Sequence, residues 1–331
     1  MTEQLSGNGT KLLLRGGLAG VILLCVCLAL LALLNTDTQF DLNDFLAGPY
    51  FWQAVLLQCL ALALFVLSWY ALLFFGNNAR ISYVEAAAHI GVTLVGKYLP
   101  GKVWGLLGRT YLLKQRSYSS GAAIELLIAD QFLTFYTGIA IGGLALLAIY
   151  DRTLFSLACV LVLLLSICVV LLYARLIAWL KQSAKSVFRR LTELGNDEPN
   201  SPNTDSAAVN RAGLMAGMLV YFVHWLAISL VLWLLYFPAL QANPSLNAML
   251  LLAAIPLAML SGFVAVWAPG GIGVREGVII AILAINLPLE LAASIAVTYR
   301  LICVINDLVS GSIAFAYYGS AGLQLLRTQQ S

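Results

Sequence analysis

APGGIGVREGV, residues 268–278, follows 22 residues without a charge (Leu246–Trp267) and precedes another apolar run. Proline and closely spaced glycines end helices and permit left-handed backbone, and Arg275 and Glu276 come straight after the break. At membrane depth an interrupted backbone survives only where protein buries it or where it lines a wet cavity. A charge near the bilayer centre costs about 2.5 to 3.5 kcal/mol on insertion scales. Break and charge together therefore point to a cavity inside a membrane-spanning bundle.

Outward from this stretch, a second one reads similarly: KYLPGKVWGLLGRTYLL, residues 97–113, has Pro100 and Gly101 followed by Lys102 and Arg109. Aligning Pro100 with Pro269 gives an offset of 169, and aligning Ala122 with Ala292 gives 170, which sets Asp130 opposite Arg300. The spacing predicts an internal duplication in which each copy holds a broken segment followed by a long helix with one buried charge.

The chain has 331 residues, of which 61% are hydrophobic and only 10% charged. That composition excludes a soluble domain and predicts an all-α polytopic bundle in a single transmembrane domain, 1–331. The six cysteines (Cys25, Cys27, Cys59, Cys159, Cys168, Cys303) fall in apolar runs without disulfide or CxxC spacing and suggest neither redox nor metal chemistry. The net charge of +3 matters less than its distribution, because cytoplasmic loops gather Lys and Arg.

In chain order, Lys11 and Arg15 precede a retained first helix, Leu18–Leu34, and the loop with Asp37, Asp41 and Asp44 falls outside. Trp52–Phe75 is a second span. Tyr83–Leu99 is short and polar for a crossing, with Glu85, His89 and Lys97. The segment after its break ends in Lys114-Gln115-Arg116, so the pair is expected to enter and leave from the cytoplasm as a re-entrant hairpin. Gly121–Ile149, Leu154–Tyr173, Ala212–Tyr236 and Leu291–Tyr318 are further spans, and Leu246–Trp267 with Val278–Leu287 forms the second broken pair. About six full spans and eight or so segments result, and whether 246–287 crosses or is re-entrant stays open. The halves are 11–175, broken near 97–113, and 212–320, broken at 268–277. If the second pair enters from outside, the two form an inverted repeat. Between them, 176–211 is a basic loop (Lys181, Lys185, Arg189, Arg190) suited to anionic headgroups rather than nucleic acid. Both termini are expected in the cytoplasm.

Candidate binding residues follow. Pro100, Gly101, Pro269, Gly270, Gly271 and Gly273 can form backbone nests whose N–H groups meet an anion. Lys97, Lys102, Arg109 and Arg275 add full charge, and arginine forks onto phosphate oxygens. Arg300 and Asp307 lie seven apart on one helix face with Ser310 and Gly311, and Asp130, Thr134, Thr137 and Gly138 make a matching stripe. These stripes either lock helices, for example through an Asp130–Arg300 pair, or line a polar path. Glu276 and Glu125 either neutralise the bases in an empty site or receive a basic headgroup such as an aminoacyl amine. GKYLPGK (96–102) fits GxxxxGK, yet Val103 stands where a magnesium-binding hydroxyl is needed and no strand precedes it, so nucleotide hydrolysis is excluded. His89 and His224 are expected to pack. No catalytic arrangement, cofactor or metal is indicated.

PGGIGVREG (269–277), Ala296–Leu301 and LPGKVWGLLGRTYLL (99–113) resemble the lysylphosphatidylglycerol synthase transmembrane-region family, UPF0104. The resemblance implies about eight helical segments and, for some members, movement of aminoacylated phosphatidylglycerol between leaflets. It carries over to Pro269, Gly270, Gly271, Gly273, Arg275, Glu276 and Arg300, with Pro100, Gly101 and Arg109 in the first copy. Where many members have an acid-Arg-x-x-Asp run, this chain has Asp130-Gln131-Phe132-Leu133-Thr134 and lacks two of the charges. No aminoacyl-transferase domain is recognisable, so lipid synthesis is not expected. The expectation is a bacterial inner-membrane protein that binds and flips a phosphate-bearing partner, an anionic phospholipid or a polyprenyl-phosphate glycolipid. The alternatives are a subunit presenting a lipid to a glycosyltransferase or other lipid-modifying enzyme, and a transferase with Glu276 or Asp130 as base.

Overall fold

The computed structural model describes residues 49–75, 81–99, 103–116, 118–183, 209–236 and 244–328. The first span expected at Leu18–Leu34, the Pro100-Gly101-Lys102 break and most of the basic loop lie outside the described residues. Among those described, nine α-helices and one 3-10 turn occur and no strand. They are α1 (Pro49–Phe74), α2 (Tyr83–Gly96), α3 (Trp104–Gln115), α4 (Ser120–Tyr150), α5 (Arg152–Ser183), α6 (Arg211–Tyr236), α7 (Pro244–Val264), α8 (Val274–Leu283) and α9 (Leu289–Thr328), with the turn at Pro269–Gly271.

Polar residues start the helices where the apolar runs begin. Ser82 Oγ accepts from the Glu85 N–H at the head of α2 (3.2 Å), and Ser119 Oγ accepts from Ala122 N–H at the head of α4 (3.2 Å). Asp151 separates α4 from α5 by taking the N–H groups of Thr153 (2.7 Å) and Leu154 (3.0 Å). Asn210 Oδ1 accepts from Gly213 N–H (2.7 Å) and opens α6.

Length then separates spans from fragments. Among the described residues, five segments, Tyr50–Phe74, Ser120–Tyr150, Arg152–Tyr173, Arg211–Tyr236 and Leu289–Tyr318, are long and apolar enough to cross a membrane. The shortest has 22 residues, a rise of about 33 Å against a hydrocarbon core of about 30 Å. By contrast α2 (14 residues) rises about 21 Å, α3 (12 residues) about 18 Å and α8 (10 residues) about 15 Å. Two boundaries differ from expectation. α5 runs on through Arg175 to Ser183, so the basic loop starts later. α7 stops at Val264 and α8 begins at Val274, which puts Arg275 and Glu276 in the first turn of a helix.

The chain is a multi-pass membrane bundle in which each broken pair lies against a long helix from the other half. α1 packs most extensively on α6, α2 on α9, and α7 on α4, while α3 contacts α2 and α4, and α8 contacts α7 and α9. Small residues set the closest approaches, as membrane helices require when apolar surface alone gives no preference for protein over lipid. Gly91 faces the Ser310 carbonyl and Gly311 faces Val95 where α2 crosses α9. α5 touches only α4 and α6 appreciably and is otherwise exposed, the pattern of a lipid-facing helix. The core falls into two clusters, one around Trp69, Leu72, Leu126 and Leu133 and one around Leu232, Leu251, Ile255 and Ala296.

Candidate functional site

The second break turns on three glycines at positive φ: Gly270 (60°), Gly271 (75°) and Gly273 (80°). A Cβ on Gly270 would stand 2.7 Å from the Tyr98 ring, so this residue must lack a side chain on steric grounds as well. The reason is that the second break meets the end of α2: Gly270 N–H donates to the Lys97 carbonyl at 2.8 Å. α8 restarts at Val274 because the Glu276 carboxylate reaches back and accepts from Gly273 N–H (2.7 Å). The same carboxylate lies 3.1 Å from Arg300 Nε, and Arg300 Nη2 donates to the Gly270 carbonyl at 3.0 Å. Arg300, buried on α9, thus braces both ends of the break.

The end of α2, just ahead of the first break, is held through Asp307, also buried on α9. Lys97 Nζ lies 2.7 Å from Asp307 Oδ2, and Tyr98 OH donates to the same oxygen at 2.6 Å. One carboxylate therefore holds two consecutive residues of the other half.

Arg109 and Asp130 go elsewhere. Arg109 Nη1 meets Asp130 Oδ2 at 2.9 Å with both side chains 0% exposed, Tyr221 OH donates to Asp130 Oδ1 at 2.6 Å, and the guanidinium lies 3.7 Å from the centroid of the Trp69 ring. The expected Asp130–Arg300 pair does not form: each residue finds an opposite charge on the broken segment of its own half. Enclosure also removes Asp130 as a transferase base, since Arg109 and Tyr221 occupy its oxygens. Arg109, expected to line a headgroup path, does not reach the cavity described next.

Between the breaks lies a cavity of about 170 Å³. Leu62, Phe65, Phe135, Trp225, Ile228 and Phe263 supply apolar wall, and Lys97, Arg275 and Asp307 supply charge. Arg275 decides its character. Its Nη1 donates to the Met259 thioether (2.9 Å), a weak acceptor, and its buried Nε has no partner among the described residues. No carboxylate among the described residues pairs with it. The side chain lies across Gly262 of α7, where any Cβ would collide with it, and Gly271 crowds it from the break.

The backbone nest expected at Gly270, Gly271 and Gly273 is already filled. Gly270 N–H donates to Lys97, Gly271 N–H to the Ala268 carbonyl (2.9 Å), Ile272 N–H to the Pro269 carbonyl (3.2 Å) and Gly273 N–H to Glu276. A ligand would meet side chains here and not main chain. Pro100, Gly101 and Lys102 lie outside the described residues. Glu125 is buried away from the breaks, accepting from Val209 N–H at 3.4 Å. His224 lines the cavity with its Nδ1 2.8 Å from the Ala61 carbonyl, and His89 is enclosed between the Trp69 and Tyr318 rings. Thr134 reaches the cavity, whereas Thr137 accepts from Trp225 Nε1 at 3.0 Å.

Sequence reasoning missed Gln58, Tyr98, Met259 and Asn306. Gln58 and Asn306 line the cavity, and a polar side chain within the apolar α1 run was the available signal for Gln58. Tyr98 gave none, because an aromatic residue beside a break is ordinary.

The arrangement of spans, breaks and buried charge now stands beside a direct comparison: the profile of the family described as Lysylphosphatidylglycerol synthase TM region matches residues 12–311. The chain belongs to this family. The match takes in both breaks and reaches α9 beyond Asp307, so all the residues of the cavity described above lie inside it. A comparison with curated proteins returned no match. Membership in the lysylphosphatidylglycerol synthase TM region family makes this a membrane domain associated with lipid handling.

Proposed function

We propose that this chain receives a phosphate-bearing lipid headgroup in the cavity between its two breaks and carries it across the bilayer without ATP hydrolysis, the acyl chains staying in lipid. The observation behind this is the surplus cation. Lys97 has Asp307 and Arg300 has Glu276, while Arg275 has no carboxylate among the described residues. A buried charge without a counter-charge is costly, and a phosphate removes that cost through two charge-assisted hydrogen bonds of fixed geometry.

The mechanism is rocking of one half against the other. Exchanging α1 with α6, α2 with α7, α3 with α8 and α4 with α9 maps the α2–α9 contact onto α4–α7, which supports an inverted repeat. The same exchange maps the Arg109–Asp130 pair onto Glu276–Arg300 with the signs reversed. We place the protein in a bacterial inner membrane with both termini cytoplasmic, on the grounds that Arg116 and Arg175 lie on the side that gathers positive charge.

The test is leaflet exchange of a labelled anionic phospholipid in liposomes containing the purified protein. Arg275→Ala should reduce the rate by about 10- to 100-fold, the equivalent of one lost hydrogen-bonded charge. Exchange at the wild-type rate in a folded Arg275→Ala protein would refute the proposal. Binding without exchange in the wild type would favour a subunit that presents lipid to a modifying enzyme.

A further inference from the structure

Charge and hydrogen-bond capacity in the cavity restrict the headgroup further, and this step rests on the function proposed above. We infer that the cavity selects a phosphodiester of net charge −1 whose remaining polar groups are hydroxyls, and rejects headgroups that carry an amine.

The charge follows from the residues that line the space. Lys97 and Arg275 are the bases and Asp307 the acid, and the Arg300–Glu276 pair behind Gly270 is neutral as a unit. Among the described residues one positive charge is therefore left over. A monoanion neutralises it. A phosphomonoester at −2 or a diphosphate overshoots, and burying the excess is unfavourable for the same reason that a lone arginine is.

Rejection of amines follows from the absence of a spare carboxylate. Among the described residues Asp307 is the single acid lining the cavity, and one of its oxygens already receives Lys97 at 2.7 Å and Tyr98 OH at 2.6 Å. Glu276 is held by Arg300 and by Gly273 N–H. An ammonium brought in with the phosphate would meet two fixed cations and, among the described residues, only a carboxylate that Lys97 and Tyr98 already share. The lysyl ester of phosphatidylglycerol is then the wrong ligand on both counts, because its two ammonium groups outweigh the phosphate and make its net charge positive.

Preference for a hydroxyl follows from Gln58. Its side chain lines the cavity and is only 5% exposed, and its buried Oε1 is an acceptor without a hydrogen-bond partner among the described residues. Buried amides seldom stay unpaired. A neutral O–H donor satisfies this one without adding charge. Glycerol on a phospholipid and sugar on a polyprenyl phosphate share this chemistry, a phosphodiester with nearby hydroxyls.

The experiment is competition binding to the purified full-length protein in neutral nanodiscs, read by native mass spectrometry. The probes are phosphatidylglycerol, its lysyl ester, phosphatidic acid, phosphatidylmethanol and a polyprenyl phosphosugar. Phosphatidylglycerol or the phosphosugar should bind at least about tenfold tighter than the lysyl ester, and whichever of the two is tighter identifies the source. Phosphatidylmethanol, a monoanionic diester without a free hydroxyl, should fall about two- to tenfold below phosphatidylglycerol, and Gln58→Leu should erase that difference. Equal or tighter binding of the lysyl ester, or of phosphatidic acid, overturns the inference while leaving headgroup binding intact. Failure of every probe to bind overturns the proposed function itself. Should Gln58→Leu not fold, the wild-type ratios alone still decide.

Discussion

Removing one member of the Arg109–Asp130 pair should destabilise the protein far more than removing both. The pair is wholly enclosed, with Asp130 accepting from Arg109 at 2.9 Å and from Tyr221 at 2.6 Å. Asp130→Asn keeps the shape but leaves the guanidinium charged and without its anion, which costs about 3 to 5 kcal/mol. The Trp69 ring, 3.7 Å from the guanidinium carbon, keeps its cation–π contact in Asp130→Asn, so that contact cancels from the difference. Arg109→Met strands the carboxylate against Tyr221 and loses the ring contact as well, so it should cost more than Asp130→Asn and lie at the upper end of that range. Arg109→Met with Asp130→Asn removes both charges and should recover at least half of the larger single loss. Reversible unfolding in mixed micelles, run as a double-mutant cycle, measures all three values. A single-variant cost below about 0.5 kcal/mol, or a double variant no more stable than its worse parent, would show that the pair does not lock α3 to α4 and would return Asp130 to the list of working residues.

Two further outcomes concern the junction of the breaks. Gly270→Ala places a Cβ 2.7 Å from the Tyr98 ring at a φ of 60°, so it should lower stability by more than the roughly 1 to 2 kcal/mol of left-handed strain alone, and limited proteolysis near residue 270 should accelerate; unchanged proteolysis and unfolding would contradict the close approach. Tyr98→Phe deletes the donor to Asp307 and should cost about 1.5 to 3 kcal/mol in the same unfolding assay, with Asp307→Asn removing most of that effect in the double variant; additive costs would show the two side chains to be uncoupled.

How far the sequence foretold this depended on whether a feature was local. Apolar runs set the spans, because twenty-odd uncharged residues have few alternatives in a bilayer, and the helices α1, α4 and α6 start and stop within a few residues of the pattern. Pro269-Gly270-Gly271 announced a break for equally local reasons, since no regular helix accommodates them. Pairing of charges was not local. Asp130 and Arg300 fall opposite one another under the 169–170 offset, which suggested a partnership, yet equivalent positions in a duplicated chain need not be neighbours. Asp130 meets Arg109 on α3, and Arg300 meets Glu276 on α8, because each long helix lies beside the broken segment of its own half. Gln58 was overlooked for a related reason: one amide in an apolar helix is a visible signal, but it gains meaning only once the helix face it occupies is known to border a cavity.

The contacts at the cavity wall also explain why an empty cavity would resist opening. Lys97 and Tyr98 belong to the first half, and Asp307 and Gly270 to the second, so separating the halves breaks the Lys97–Asp307 ion pair, the Tyr98–Asp307 hydrogen bond and the Gly270–Lys97 backbone bond together. In an empty cavity this leaves Lys97 and Asp307 unpaired in apolar surroundings, where breaking a buried pair costs about 3 to 5 kcal/mol. A phosphodiester shares its single negative charge between two oxygens. One can engage Arg275 while the other replaces Asp307 at Lys97, so part of that cost is offset only when a headgroup is present. Asp307 keeps Arg300 on its own helix as the exchange proceeds, because both belong to α9. Differential affinity for the opened state is what any ligand needs in order to drive a conformational change, and in this bundle the lysine at the end of α2 supplies it.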